Sequence, residues 1–172
     1  VINANQTAGD PSTKMNLGVN LPATDTEAGS SGETLPLSVE YFGNLGTSET
    51  LAISFTPVVP ATGSSNQWTM VIRDSATLDD ASTAADESIL GEYTLTFDNT
   101  SVNGGTLSSV TTVSGAAYDA ATGTLDLPVA NGLQNVTVTI GKIGDTNGLT
   151  QLSDSFAPTA ISKDGSPVGN LT

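Results

Sequence analysis

Carboxylates are the one chemically capable side chain this sequence carries in number: 18 Asp plus Glu against four Lys plus Arg, with no histidine or cysteine. Asp74, Asp79, Asp80, Asp86 and Glu87 fall within one short stretch, and clustered carboxylates are what a hard cation such as calcium requires. The stretch lacks the alternating ligand positions and central glycine of a calcium loop, so it reads as a solvated acidic loop. Asp145-Thr146-Asn147-Gly148 has a fragment of that pattern, with no bidentate acid at the right distance beyond it. Paired carboxylates for glycoside hydrolysis, Asp119 with Asp126 for example, are available. No spacing singles out a pair, and at 5% aromatic the chain is poor in side chains for a sugar-stacking cleft. Without histidine a Ser-His-Asp relay is excluded. Lys14, Arg73, Lys142 and Lys163 stand in no nucleophile-activating motif. The expectation is a protein with no enzymatic activity, no cofactor and no metal.

The same acids restrict partners. A net charge of -14 repels phosphate backbones and anionic headgroups, so neither nucleic acid nor membrane is expected as a partner. Charged residues are only 13% of the chain, so solubility rests on Thr, Ser, Asn and Gly, as in β domains outside the cell. No apolar run is long enough to cross a bilayer as a helix. The N-terminal VINANQTAGDPSTK lacks the basic start and apolar core of a signal peptide, and the chain does not begin with Met, which suggests either a processed product or a fragment cut from a longer protein.

Two-residue alternation sets the elements that position these residues. Met15, Leu17, Val19 and Leu21 alternate with small polar residues. Leu35 to Tyr41, Leu51 to Phe55, Trp68 to Ile72, Tyr93 to Phe97, Leu107 to Val113, Leu125 to Leu127 and Val136 to Ile140 repeat the pattern, and Ala157 to Ser162 adds a last candidate strand. Gly43-Asn44-Leu45-Gly46, Asn103-Gly104-Gly105, Gly123, Asn131-Gly132 and Asn147-Gly148 supply turns between them. Trp68, in phase with Met70 and Ile72, reads as core rather than as a stacking platform. The stretch Ser75 to Ser88 has no apolar face and reads as a long acidic loop with at most one helical turn. The fold class is therefore all-β, an antiparallel sandwich or a distorted Greek-key barrel with long loops. Residues 1–172 read as one domain, with a smaller subdomain around 74–122 as the variant. The four Asn-X-Ser/Thr matches (Asn5, Asn99, Asn135, Asn170) are read as chance in an Asn- and Thr-rich chain.

Three stretches, in order, carry a family resemblance. They are Lys14-Met15-Asn16-Leu17-Gly18-Val19-Asn20-Leu21-Pro22; the run from Leu37 through Tyr41-Phe42-Gly43-Asn44-Leu45-Gly46 and Leu51 to Phe55, ending at Asn66-Gln67-Trp68; and Leu149-Thr150-Gln151 followed by Ile161-Ser162-Lys163-Asp164-Gly165 to Leu171. Together they resemble the middle, surface domain of the bacterial flagellar hook protein. Gly43 stands where that family commonly has Asp, and Lys163 and Ser166 where it has Gln and Tyr.

The resemblance implies a β domain inserted between inner segments, with its chain ends close together. It implies export through the flagellar type III apparatus to an extracellular position in the hook. The function it implies is mechanical: copies form a helical homopolymer, a curved tube acting as a universal joint between motor and filament. The partner is then the chain itself, and the isolated fragment is expected to be monomeric. A bending tube needs polar contacts that are easily remade, and the two long loops offer candidates: Asp79, Asp80, Asp86 and Glu87 in one, Asn99 and Asn103 in the other. From composition and alternation alone, an Ig-like or carbohydrate-binding module of a secreted bacterial adhesin is the alternative.

Overall fold

The computed structural model describes residues 13–43, 47–78, 82, 87–100, 104–146, 148–153 and 155–163. Its strands are β1 (Lys14–Asn20), β2 (Leu35–Phe42), β3 (Ser48–Pro57), β4 (Gln67–Asp74), β5 (Ile89–Phe97), β6 (Leu107–Gly115), β7 (Tyr118–Asp119), β8 (Thr124–Val129), β9 (Gln134–Thr139), β10 (Leu149–Thr150) and β11 (Ala157–Lys163). Among the described residues the one helical element is a 3₁₀ turn, Ala23–Thr26. The all-β expectation holds, and every strand read from alternation is present. The two strands that alternation missed, β7 and β10, have two residues each, too few to show a period.

Strands β2 to β6 follow one another across a five-stranded antiparallel sheet. The β2–β3 hairpin keeps an unbroken register from Leu35 opposite Phe55 to Phe42 opposite Ser48, closing at the turn that begins with Gly43. Apolar residues occupy alternate positions, so one face is dry: Leu51, Ile53 and Phe55 on β3, Trp68, Met70 and Ile72 on β4, Tyr93 and Leu95 on β5 are all buried. The other face carries Thr, Ser and a few charged residues, half-exposed or exposed.

The second sheet is assembled from distant parts of the chain. Strand β1 lies inside it, with β11 antiparallel on one edge. Its other edge takes β9 against Lys14–Asn16 and β10 against Val19–Asn20, both parallel. These two act as one interrupted strand, because the Leu149 N–H donates to Ile140 O at 2.9 Å and closes the excursion between them. Parallel neighbours need a long crossover, and here the crossover contains the whole five-stranded sheet. The pairing is therefore mixed, whereas alternation alone suggested an antiparallel arrangement. Met15, Leu17, Leu125, Leu127, Val136 and Val138 turn inward from this sheet and join the buried side chains of the first in one core. Each fully buried aliphatic contributes roughly 1.5–3 kcal/mol.

Gly123 ties the second sheet's small hairpin to its central crossing. It has a φ of 72°, its N–H donates to Asp119 O, and its carbonyl accepts from both Ile140 and Gly141 N–H. A Cβ there would stand 2.5 Å from the Gly141 carbonyl carbon. Gly123→Ala should therefore destabilise the fold by roughly 1–3 kcal/mol, from left-handed strain and steric overlap together. Denaturant unfolding measures this, and an unchanged midpoint would contradict it.

Candidate functional site

A polar side chain shut away from water must be hydrogen-bonded, and this protein buries several at the seam between its sheets. At one end of β4, Trp68 is fully buried and its indole N–H donates to Gln151 Oε1 at 2.7 Å. The Gln151 amide donates onward to Asn66 Oδ1 at 3.1 Å, and its backbone N–H donates to Gly105 O at 2.7 Å. Next to it, Asn20 Oδ1 accepts from Thr150 Oγ1 at 3.0 Å and from the Leu152 N–H at 2.9 Å, while its Nδ2 donates to Ser155 O at 3.2 Å. Asn66 takes a left-handed φ of 52°, tolerable for an asparagine. The three sequence stretches that resemble one family thus converge on one junction through Asn20, Asn66 with Trp68, and Thr150 with Gln151. Their role here is to lock the seam.

The opposite end of β4 has a second clasp, built on Asp74. Alternation puts Asp74 on the inner face, where it is only 2% exposed. Tyr41 Oη donates to its Oδ1 at 2.5 Å and the Ala76 N–H to the same oxygen at 3.1 Å. Thr77 Oγ1 and the Ala130 N–H donate to Oδ2 at 2.7 and 2.8 Å. Ala130 and Asn131 hold φ of 53° and 56°, and the strained turn points the Ala130 N–H across the seam at Asp74. Asn131 completes the dock: its Oδ1 accepts from the Leu78 N–H and its Nδ2 donates to Ala76 O. The reading of Asp74 as part of a solvated loop is corrected here. The start of that loop is a structural anchor on the β8–β9 turn.

The carboxylates weighed for chemistry are not assembled for it. Asp119 closes its own turn by accepting from the Ala121 N–H at 2.9 Å, and Asp145 accepts from the Lys142 N–H at 2.9 Å. Asp126 lies on the exposed face of β8. Among the described residues no group of His, Cys, Asp and Glu is placed to hold a metal ion, and no helix is long and apolar enough to cross a membrane.

Of the candidate contact residues, Asp79, Asp80, Asp86 and Asn103 lie outside the described residues. Glu87 is half-buried in the turn entering β5, and Asn99 is exposed in the loop leaving it. They therefore sit at opposite ends of the same strand, roughly 25–30 Å apart along it. Asp98, beside Asn99, accepts from the Thr100 N–H at 2.7 Å. Its hydrogen bonds to Thr100, side chain first and backbone second, hold its carboxyl below the ordinary range.

The family model of the flagellar basal body protein FlaE D2 domain matches residues 6–166. The chain belongs to this family. Among solved structures it is similar to a 32 kDa fragment of the flagellar hook protein FlgE from Caulobacter crescentus, at 12% sequence identity and a TM-score of 0.51. That match covers 76% of this chain and 46% of the fragment, so the chain spans about half of the fragment's length. At that identity the shared feature is the fold. No curated protein matches the chain. The matches give no support to an adhesin module. In this chain the two clasps explain how so polar a sequence keeps its sheets together.

The clasps are directly testable. Asp74→Ala strips the acceptor from Tyr41, Thr77 and Ala130 and should cost roughly 3–5 kcal/mol; Tyr41→Phe, losing one bond, should cost about 1–2 kcal/mol. Equal effects in thermal unfolding would contradict the arrangement. The tyrosines give a second test. Burial and then the Asp74 hydrogen bond push the Tyr41 phenol up, burial pushes Tyr93 up to about 12, and burial with the Asp145 and Asp119 charges raises Tyr118. Tyr41 and Tyr93 therefore keep their protons in the fold where an unfolded phenol, at about 10, has lost its own. Their contribution to stability is intact below that pH and is lost as pH rises toward the folded values. An alkaline titration should show the Tyr41 and Tyr93 phenolates only well above pH 10 or with unfolding; all three phenols ionising near pH 10 in folded protein would refute this.

Proposed function

We propose that this chain is the surface-exposed structural domain of a flagellar hook subunit, one domain inserted in a longer protein. The family match over residues 6–166 carries this reading. The side-by-side pairing of β1 and β11, with Met15 opposite Lys163, supports it, since an inserted domain needs entry and exit together. Residues 74–122 then belong to the same unit, because β4, β5 and β6 continue the sheet begun by β2 and β3. Copies of the parent protein assemble as a helical homopolymer outside the cell, having left through the flagellar type III apparatus. The curved tube acts as a universal joint between motor and filament. The domain performs no catalysis, needs no cofactor and contacts neither nucleic acid nor membrane.

In this reading the loops around Glu87 and Asn99, with Asp79, Asp80, Asp86 and Asn103, meet neighbouring subunits along the strand direction. The placement of Glu87 and Asn99 at opposite ends of β5 suits contacts with two different neighbours.

Antibody raised against this chain should decorate hooks in electron micrographs, and labelling confined to the filament or cell body would contradict the assignment. Removing residues 79–86 from the parent protein, while keeping the Asp74–Leu78 anchor, should change hook curvature or length and impair swimming. Hooks of unchanged shape and yield would remove the acidic loop from the contact surface.

A further inference from the structure

The most exposed large apolar side chains among the described residues are Leu133, at 78%, and Leu78, at 72%. They lie far apart in the sequence, yet Asn131 ties their backbones together. Its Oδ1 accepts from the Leu78 N–H at 3.2 Å, and its own N–H donates to Thr77 Oγ1 at 3.0 Å. Leu133 closes the same turn, its N–H donating to Ala130 O at 3.1 Å. Both segments are fixed from below. Asp74 Oδ2 accepts from Thr77 Oγ1 and from the Ala130 N–H, and Ala130 and Asn131 hold left-handed φ of 53° and 56°. Backbone strain of this kind persists only where surrounding bonds enforce it. A lone exposed leucine is ordinary; two at one rigid corner form a small apolar surface that is already ordered for binding.

That corner lies at the pole toward which the entry and exit strands open. Strand β1 runs parallel to β9 with Lys14 opposite Thr137, and the Thr137 N–H donates to Thr13 O at 2.9 Å. Leu133 precedes Thr137 by roughly 13 Å along the strand direction. Strand β11 runs the other way against β1 and brings Lys163 opposite Met15, so both connections leave on the side of the β8–β9 turn. Taking the inserted-domain reading of the hook subunit as its basis, we propose that Leu78 and Leu133 pack into an apolar hollow on the part of the parent protein that adjoins this pole. Area favours that occupant over a second copy. Two free proteins need about 800 Å² per partner for a stable contact, and a pair of leucines supplies only a fraction of it. Tethering removes the demand, because a surface on the same chain is present at an effective concentration on the order of millimolar. The contact sets how the domain tilts on the inner part of its own subunit, and its small size lets it open and reclose as the tube bends. It takes none of the acids from Asp79 onward, which remain for neighbouring subunits.

Thiol accessibility in the full-length parent tests this, since the chain has no cysteine of its own. With any cysteines elsewhere replaced, the single variants are Leu78→Cys, Leu133→Cys and Ala61→Cys, the last an exposed control beyond the opposite end of β3. Positions 78 and 133 are exposed in the domain, so the substitutions leave its own fold untouched, and in each single variant the other leucine keeps the contact. Maleimide alkylation rates are each divided by the rate in the urea-unfolded subunit, which cancels the effect of neighbouring residues. In dilute, unpolymerised subunit, positions 78 and 133 should react at least about tenfold more slowly than position 61, because the cover excludes reagent from the thiol. Further dilution should not change that protection. Adding Leu133→Ser to the Leu78→Cys subunit should raise position 78 to the control rate, the two sharing one cover. Full reactivity at 78 and 133 in every state would overturn the proposal, as would protection at 78 that survives Leu133→Ser. Protection that appears only in assembled hooks, or fades on dilution, would assign the leucines to a second copy and overturn it too. Failure of the unmodified parent to form hooks would instead overturn the hook reading, with the protection still measurable.

Discussion

The buried amide of Gln151 is the contact on which the two sheets depend. It accepts from the Trp68 indole and donates to Asn66, while the neighbouring Thr150 and Leu152 are held by Asn20. Two of these side chains come from the five-stranded sheet and its approach, the others from β1, β10 and the residue that follows β10. A buried polar group left without a partner costs about 1–3 kcal/mol, so each member is stable only while the others are in place. That mutual dependence specifies one docking of the sheets where apolar packing alone would tolerate several.

Asp74 performs the same task at the far end of β4. Between the clasps lies the dry core, with Trp68 and Tyr41 each contributing a large apolar body to it and one polar atom to a clasp. The seam is thus held at both ends by side chains whose polar atoms have few alternatives. This arrangement suits a chain with few long charged residues, because it uses directional bonds inside and leaves the outer faces to short hydroxyls. It also separates functions: the acids that looked chemically capable serve turns, an anchor and loops.

Much of the first sheet was legible in the sequence, because its strands are successive and its turns local. Leu51-Ile53-Phe55 and Trp68-Met70-Ile72 declare both strand and buried face by alternation. The second sheet was less legible. Nothing in Met15 to Val19 tells that their neighbours are Thr137 to Thr139 and Leu149 to Thr150, because alternation fixes a face and says nothing of a distant partner. Asp74 was misread for a related reason: it heads a stretch of acids in the sequence, but its position in β4 turns it inward. The Asn66-Gln67-Trp68 and Leu149-Thr150-Gln151 stretches were visible as family signals, and only the folded geometry gives them a common physical cause. What the surface meets was the least legible, since an exposed polar side chain carries no mark of its partner.

Native-state hydrogen exchange across the seam tests the central claim most directly. If the clasps make the sheets one cooperative unit, the Trp68 indole N–H, the Ile53 and Phe55 amides and the Val136 and Val138 amides should exchange only through global unfolding, with one common free energy. Exchange of one sheet's amides at a markedly lower free energy, with the Trp68 indole following that sheet, would contradict it.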